Sequence, residues 1–202
     1  MDGTLNETEL YAVPAYRRAL RVFDKDVFKD DEIIARIGAP FKDDVRFFFG
    51  GEAERVETDF TEMIHRFWFE EMERCGRTFP GTKEMLAELK KKGYALAICS
   101  NAADDELEIV LSHLGIFHEF ERIQGLTQAN CKSDSLKTLL KKIAPARAVL
   151  VGDRFYDCEA AADNGIPFVA CCYGYAPEGE LEQCENKIND VRELAELVDM
   201  IF

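Results

Sequence analysis

At 202 residues the chain is sized for one domain, or for one domain carrying a smaller insertion. It is 47% hydrophobic and 32% charged, which excludes a largely disordered chain. Its 25 Lys and Arg stand against 39 Asp and Glu, and the net charge of −14 argues against nucleic acid or anionic membrane as partners, since both are polyanions. The seven cysteines form no C-x-x-C pair, and their number is odd. They read as buried thiols of a reducing compartment, so a cytoplasmic protein is expected. The N-terminus has no basic segment followed by an apolar run, and no apolar stretch approaches ~20 residues.

The chain opens on Met1-Asp2-Gly3-Thr4-Leu5, an acid followed by Gly-Thr, which reads as a turn leaving a sheet with a carboxylate at its mouth. Asn6, Glu7 and Thr8 are helix-start residues, and Leu10, Val13, Tyr16, Leu20 and Phe23 recur at helical spacing. Pro14 places the helix start only a few residues upstream of itself. Short helical pieces are expected over 31–37 and 42–49, closed by Gly50-Gly51. A long amphipathic helix follows, marked by Val56, Phe60, Met63, Phe67 and Met72. The aromatic density around Phe47–Phe49 and Phe67–Phe69 reads as the core of a helical bundle, with some rings able to face a cleft.

From Phe79-Pro80-Gly81 the pattern changes. A helix over 82–92 ends at Gly93 and is followed by an apolar strand over 94–99. A helix over 104–114 ends at Gly115. A short strand over 122–124, a helix over 134–143 and a buried strand over 148–151 come next. A helix over 157–164, a strand over 168–171 and a helix over 189–198 complete the chain. Alternating short apolar strands and glycine-closed helices predict an α/β fold, a doubly wound parallel sheet, with an inserted α-helical domain. The expected division is 1–7 plus 77–202 for the sheet domain and 8–76 for the helical insertion, which is expected to sit as a lid over the strand ends.

Ligands of such sheets bind beyond the carboxyl ends of the strands. Asp153 follows a strand, and Asp157 lies four residues on. The pair suits Mg²⁺, a hard cation that takes one or two carboxylates plus water and phosphate oxygens; Asp157 can equally cap the next helix. Ser100 and Asn101 end a strand and can hold a phosphate oxygen or begin a helix. Lys132 precedes a helix start, where it can neutralise phosphate or stand as a surface lysine. The chain has no Gly-x-Ser-x-Gly, no phosphate-binding G-x-x-x-x-G-K and no G-x-G-x-x-G, and its three histidines sit beside no candidate nucleophile.

Taken in order, Met1-Asp2-Gly3-Thr4-Leu5, Ser100-Asn101, Lys132 and Gly152-Asp153 to Asp157 resemble the four sequence blocks of the haloacid dehalogenase superfamily, in its phosphoglycolate-phosphatase-like branch. Phe79-Pro80-Gly81-Thr82 and Leu114-Gly115-Ile116-Phe117 agree with it, and the resemblance covers essentially the whole chain. It implies a Rossmann-like core with a helical cap and a Mg²⁺-dependent phosphatase of small phosphorylated metabolites, acting through an aspartyl-phosphate. It implies Asp2 as proton shuttle and, through its carbonyl, metal ligand. Ser100, Asn101 and Lys132 hold the phosphoryl group, and Asp153 and Asp157 serve the metal. The acid at Asp2 favours phosphoesters over haloacids. Sugar phosphomutases of this superfamily carry a cap histidine at a position that here is Ala12, which favours a phosphatase.

The family's nucleophile aligns with the position immediately before Met1, because Met1 fills the variable place of Asp-x-Asp-Gly-Thr. The expectation is a chain that starts at an internal methionine, without the first strand and the nucleophile. It would be a poor phosphatase with two strand edges uncovered. A non-catalytic relative that binds phosphate or a partner is the alternative. A receiver-type module is disfavoured by the helical insertion.

Overall fold

A computed structural model describes residues 1–129 and 131–202. Its contacts divide the chain into two compact units, one of residues 1–6 with 78–202 and one of residues 7–77.

The second unit is all helix: α1 (Glu9–Val22), α2 (Asp30–Ile34), α3 (Phe41–Phe49) and α4 (Ala53–Cys75), with a 3₁₀ turn at Gly50–Glu52. Pro14 lies one turn inside α1, where it deprives the Leu10 carbonyl of its helical N–H. The Cys75 thiol donates to that carbonyl at 3.3 Å, so the end of α4 repairs the gap in α1. The core is aromatic, as the sequence indicates. Phe60 is fully buried, with Phe49 edge-on at 4.9 Å and Phe23 at 5.7 Å between centroids. Phe47 departs from that reading, being 42% exposed beneath the Arg36 guanidinium. The ends of the unit are tied by the Glu7–Arg77 ion pair and the Glu7 N–H to Arg77 carbonyl bond.

One charge lies deep in this unit. The Asp44 carboxylate accepts from the Tyr16 hydroxyl at 2.5 Å and from Arg36 Nε at 2.9 Å. Burial nevertheless pushes its carboxyl up to about 7, against the pull of both donors.

The first unit opens with the turn Met1–Leu5, in which the Thr4 and Leu5 amides donate back to the Met1 carbonyl and Gly3 takes a φ of +65°. Its remaining elements are α5 (Thr82–Lys91), β1 (Ala97–Cys99), α6 (Asp104–His113), β2 (Arg122–Gln124), α7 (Lys132–Ile143), β3 (Leu150–Gly152), α8 (Phe155–Asp163), β4 (Phe168–Cys171), β5 (Asn186–Ile188) and α9 (Leu194–Ile201). All strand pairs are parallel, with Ile98 opposite Ile123 and Val151 opposite Val169. The sheet comes in two pieces, β1-β2 and β3-β4-β5, and among the described residues no strand joins β1 to β3.

The strands expected over 94–99 and 148–151 are shorter than their apolar runs, at three residues each. A ladder extends only as far as its partner, and beyond β2 a single bond, Glu121 N–H to the Leu96 carbonyl, continues the pairing. The expected helix over 134–143 begins earlier, at Lys132, and that over 157–164 at Phe155. The last helix is a 3₁₀ turn, Val191–Glu193, running into α9. β5 was not foreseen, since Asn186-Lys187-Ile188 carries no apolar run.

Replacing Tyr16 with Phe removes a donor from a buried carboxylate and should lower stability by about 1–3 kcal/mol in urea unfolding. An aspartate raised from 3.8 to about 7 keeps its proton when folded and releases it when unfolded. Its stabilising contribution is therefore full below pH ~4 and lost as pH rises through ~7. Asp44→Asn should flatten the fall in stability across that window; an unchanged slope would assign it to other groups.

Candidate active site

The first unit gathers the motif residues at the carboxyl ends of β1 and β3. Asp153 directly follows β3 and is 3% exposed. Its carboxylate accepts from the Thr4 hydroxyl at 3.2 Å and from the Tyr175 amide at 2.9 Å. The opening turn and β3 are thus joined through one aspartate. Gly3 makes this approach possible: a Cβ there would lie 2.0 Å from Asp153 Oδ2. The Tyr173 hydroxyl donates to the Thr4 carbonyl at 2.8 Å and holds the turn from the other side.

Asp157 sits in the first turn of α8, 5% exposed. Its Oδ2 accepts from the Arg154 amide at 3.1 Å, so it does cap the helix. Its Oδ1 forms an ion pair with Lys132 Nζ, and the two side chains are 7% and 11% exposed. Lys132 is therefore not a surface lysine. Burial pulls its ammonium down, but the charge and hydrogen bond of Asp157 outweigh that and hold it above its ordinary value. The Asp153 carboxyl is pushed up to about 7, first by burial and then by the charge of Asp157; the Met1 amine and Lys132 oppose the rise.

Ser100, 5% exposed, follows β1, and its amide donates to the Gln124 carbonyl at 3.1 Å. Its hydroxyl accepts from the Ala102 amide at 3.4 Å, in the turn that precedes α6. Asn101 is half-buried beside it. Asp2 pairs with Asn6 in a parallel bridge and accepts from the Asn6 side-chain amide at 3.4 Å.

Several participants escaped sequence reasoning. Thr4, Tyr173 and Tyr175 act across long separations, and only Gly174 between the tyrosines signals the close approach. A Cβ on Gly174 would lie 2.5 Å from the Gly3 carbonyl oxygen. Glu106, in the first turn of α6, is raised to about 7 by burial and then by the charges of Asp2 and Asp105, which puts it in the field of the Asp2 carboxylate.

Among the described residues no three His, Cys, Asp or Glu side chains converge as a metal cage. Asp153 and Asp157 bring two buried carboxylates to this corner, oxygen ligands of the kind a hydrated divalent cation takes.

The model of the haloacid dehalogenase-like hydrolase family matches residues 1–171. The chain belongs to this family. Among its relatives, a plasmid-borne phosphoglycolate phosphatase of Cupriavidus necator is 31% identical over 187 residues, covering 89% of this chain and 81% of that protein. The tyrosine-protein kinase PtkA of Mycobacterium tuberculosis is 29% identical over 182 residues, covering 87% of this chain; the chain spans 61% of PtkA's own length. In solved structures the hydrolase fold recurs. A protein from Clostridium acetobutylicum described as a predicted phosphatase superposes with a TM-score of 0.88 at 21% identity, covering 99% of this chain and 95% of that one. The structure of PtkA superposes with a TM-score of 0.81 at 26% identity, covering 97% and 94%. The family and fold read from the four sequence blocks are thus both established.

Removing the cation from the buried pair should be costly, because Asp157 would remain charged and desolvated. Lys132→Met should lower unfolding free energy by about 3–5 kcal/mol, and the double change Lys132→Met with Asp157→Leu should recover much of that loss. Additive losses in this double-mutant cycle would show that the pair is not coupled.

Proposed function

We propose that this site hydrolyses phosphomonoesters of small metabolites in a Mg²⁺-dependent reaction that passes through an aspartyl-phosphate. The observation that carries the reading is the Thr4–Asp153 hydrogen bond of 3.2 Å, which puts the Asp2-Gly3-Thr4 turn against the carboxylate that neighbours the Lys132–Asp157 pair. A cation, two buried acids and a third acid on a tight turn suit charge development at a transferring phosphoryl group. The C. necator relative is named a phosphoglycolate phosphatase, and it matches most of both chains.

The roles follow from the chemistry of each group. Lys132, with the Ser100 hydroxyl and the neighbourhood of Asn101, is proposed to hold the phosphoryl oxygens. Asp157 then acts chiefly as the anchor that keeps Lys132 charged and in place. For the metal, Asp153, Asp157 and the Asp2 carbonyl offer oxygen donors only. The raised Asp153 carboxyl is what crowded, desolvated negative charge produces, and a divalent cation would relieve it. When bound, Mg²⁺ would supply charge screening between these carboxylates and the phosphate.

The attacking carboxylate is proposed at the position immediately before Met1. Its oxygen forms a bond to phosphorus as the ester P–O bond breaks, and Asp2 gives its proton to the departing alkoxide. Asp2 then takes a proton from water, whose oxygen bonds to phosphorus as the acyl-phosphate P–O bond breaks. Inorganic phosphate leaves and the carboxylate is restored. The helical unit is proposed to help choose the substrate. A cytoplasmic setting is proposed on the seven cysteines, all free thiols. No helix among the described residues is long and apolar enough to cross a membrane.

The test is release of phosphate from an aryl phosphate with Mg²⁺, using this chain and a form that carries Phe-Asp before Met1. Activity should appear in the extended form. In it, Asp2→Asn should lower turnover by about 10²–10⁴-fold, and Asp153→Asn should remove the response to Mg²⁺. Full turnover in either variant would refute the assigned role. Transfer of phosphate to protein tyrosine, with no release to water, would favour the chemistry named for PtkA.

A further inference from the structure

Two of the seven thiols are in contact. Cys184 Sγ lies 3.8 Å from Cys158 Sγ, and both residues are half-buried. Cys158 stands on α8. Cys184 stands near the end of the segment 172–185, which links β4 to β5 and is neither helix nor strand.

The contact follows from how that segment docks. Glu180 grips the start of α8, where its carboxylate accepts from Arg154 Nε at 2.9 Å and from the Phe155 amide at 2.8 Å. The side chains of this ion pair are only 6% and 14% exposed. Leu181 is buried next to it. The Glu182 amide then donates to the Gly179 carbonyl and the Cys184 amide to the Leu181 carbonyl, so the chain turns and advances. Cys184 lies four residues beyond Glu180, and Cys158 lies four beyond Arg154, one helical turn along the same face. The buried ion pair therefore sets the register that brings the two sulfurs together. The other thiols are placed differently: Cys75 donates to the Leu10 and Glu71 carbonyls, Cys99 and Cys171 are buried, and Cys131 and Cys172 are exposed.

We infer that Cys158 and Cys184 are a redox modification site, joined by a peroxide in a reversible disulfide that staples the segment 172–185 to α8. The sulfurs must close by roughly 1.8 Å, the reach of small rotations about the two Cα–Cβ bonds. First, one sulfur attacks a peroxide oxygen and the O–O bond breaks. That sulfur becomes a sulfenic acid, and the thiol proton leaves with the other oxygen as water. Next, the second sulfur attacks the sulfenic sulfur and the S–O bond breaks. Hydroxide departs and takes the second thiol proton as water. Two thiols and one hydrogen peroxide thus give one disulfide and two waters, each sulfur giving up one electron to the peroxide. Burial, then the hydrogen bond and charge of Cys158, push the Cys184 thiol up to about 11. Cys184 keeps its proton at neutral pH, so the pair oxidises slowly and suits a response to sustained oxidant. The link would span 26 positions of sequence. Its segment carries Tyr173 and Tyr175, which hold the opening turn and Asp153.

The experiment uses the 202-residue chain, reduced and then freed of reductant, with hydrogen peroxide as oxidant. Remaining thiols are alkylated in denaturant and the chain is cut after glutamate. Glu159 and Glu178 then separate Cys158, Cys171 with Cys172, and Cys184, which cutting after Lys and Arg would leave on one peptide, 155–187. Monomers should lose the mass of two hydrogens, and the joined peptides should carry Cys158 and Cys184. The link should form about tenfold faster in the folded chain than in urea, because the fold holds the sulfurs together. Amides of 180–185 should then exchange about tenfold more slowly, and dithiothreitol should restore both mass and exchange. Cys158→Ser and Cys184→Ser should each abolish the link, and Cys172→Ser should leave it in place. A link from either sulfur to Cys172 or between two chains would overturn the assignment, as would sulfinic acid at Cys158 or Cys184 without a link. Equal rates in the folded chain and in urea, or unchanged exchange over 180–185, would overturn it too.

Discussion

Two aspartates four residues apart are buried around the first turn of α8, and each has been given a different counterpart. Asp157 takes the ammonium of Lys132, while Asp153 takes a hydroxyl and a backbone amide. A pair of desolvated carboxylates this close cannot both be charged without such partners. Meeting that demand brings together the start of α7, the opening turn and the loop after β4. The local glycines follow from the same constraint, since a Cβ on Gly152 would lie 2.2 Å from Asp157 Cγ. The charges are thus the reason why four distant stretches share one corner.

The neutral donors matter as much as the cation. Asp153 is held by a hydroxyl and an amide, and burial, followed by the charge of Asp157, raises its carboxyl to about 7. Asp44 in the helical unit shows the same physics with a different outcome, since a guanidinium and a phenol both bind it and burial still dominates. In Asp44 the shift is a structural burden confined to one unit. In Asp153 the same burial acts at a strand end, beside the second buried carboxylate of Asp157.

What was legible in the sequence was what is local. Apolar runs bounded by Gly93, Gly115 and Gly165 marked the helix ends, and each of these glycines has positive φ. That Asp153 and Asp157 gather at a strand end was legible from two acids four apart after an apolar strand, a spacing that suits a cation ligand or a helix cap alike. Lys132 was undecided as a lone lysine, and its burial depends on Asp157, which no spacing connects to it. The bonds of Thr4 to Asp153 and of Tyr173 to Thr4 were invisible for the same reason, acting across 149 and 169 residues. The apolar runs also overstated the strands. Residues 94–96 are apolar because they line a slot, and without a partner on that side apolarity does not make a ladder.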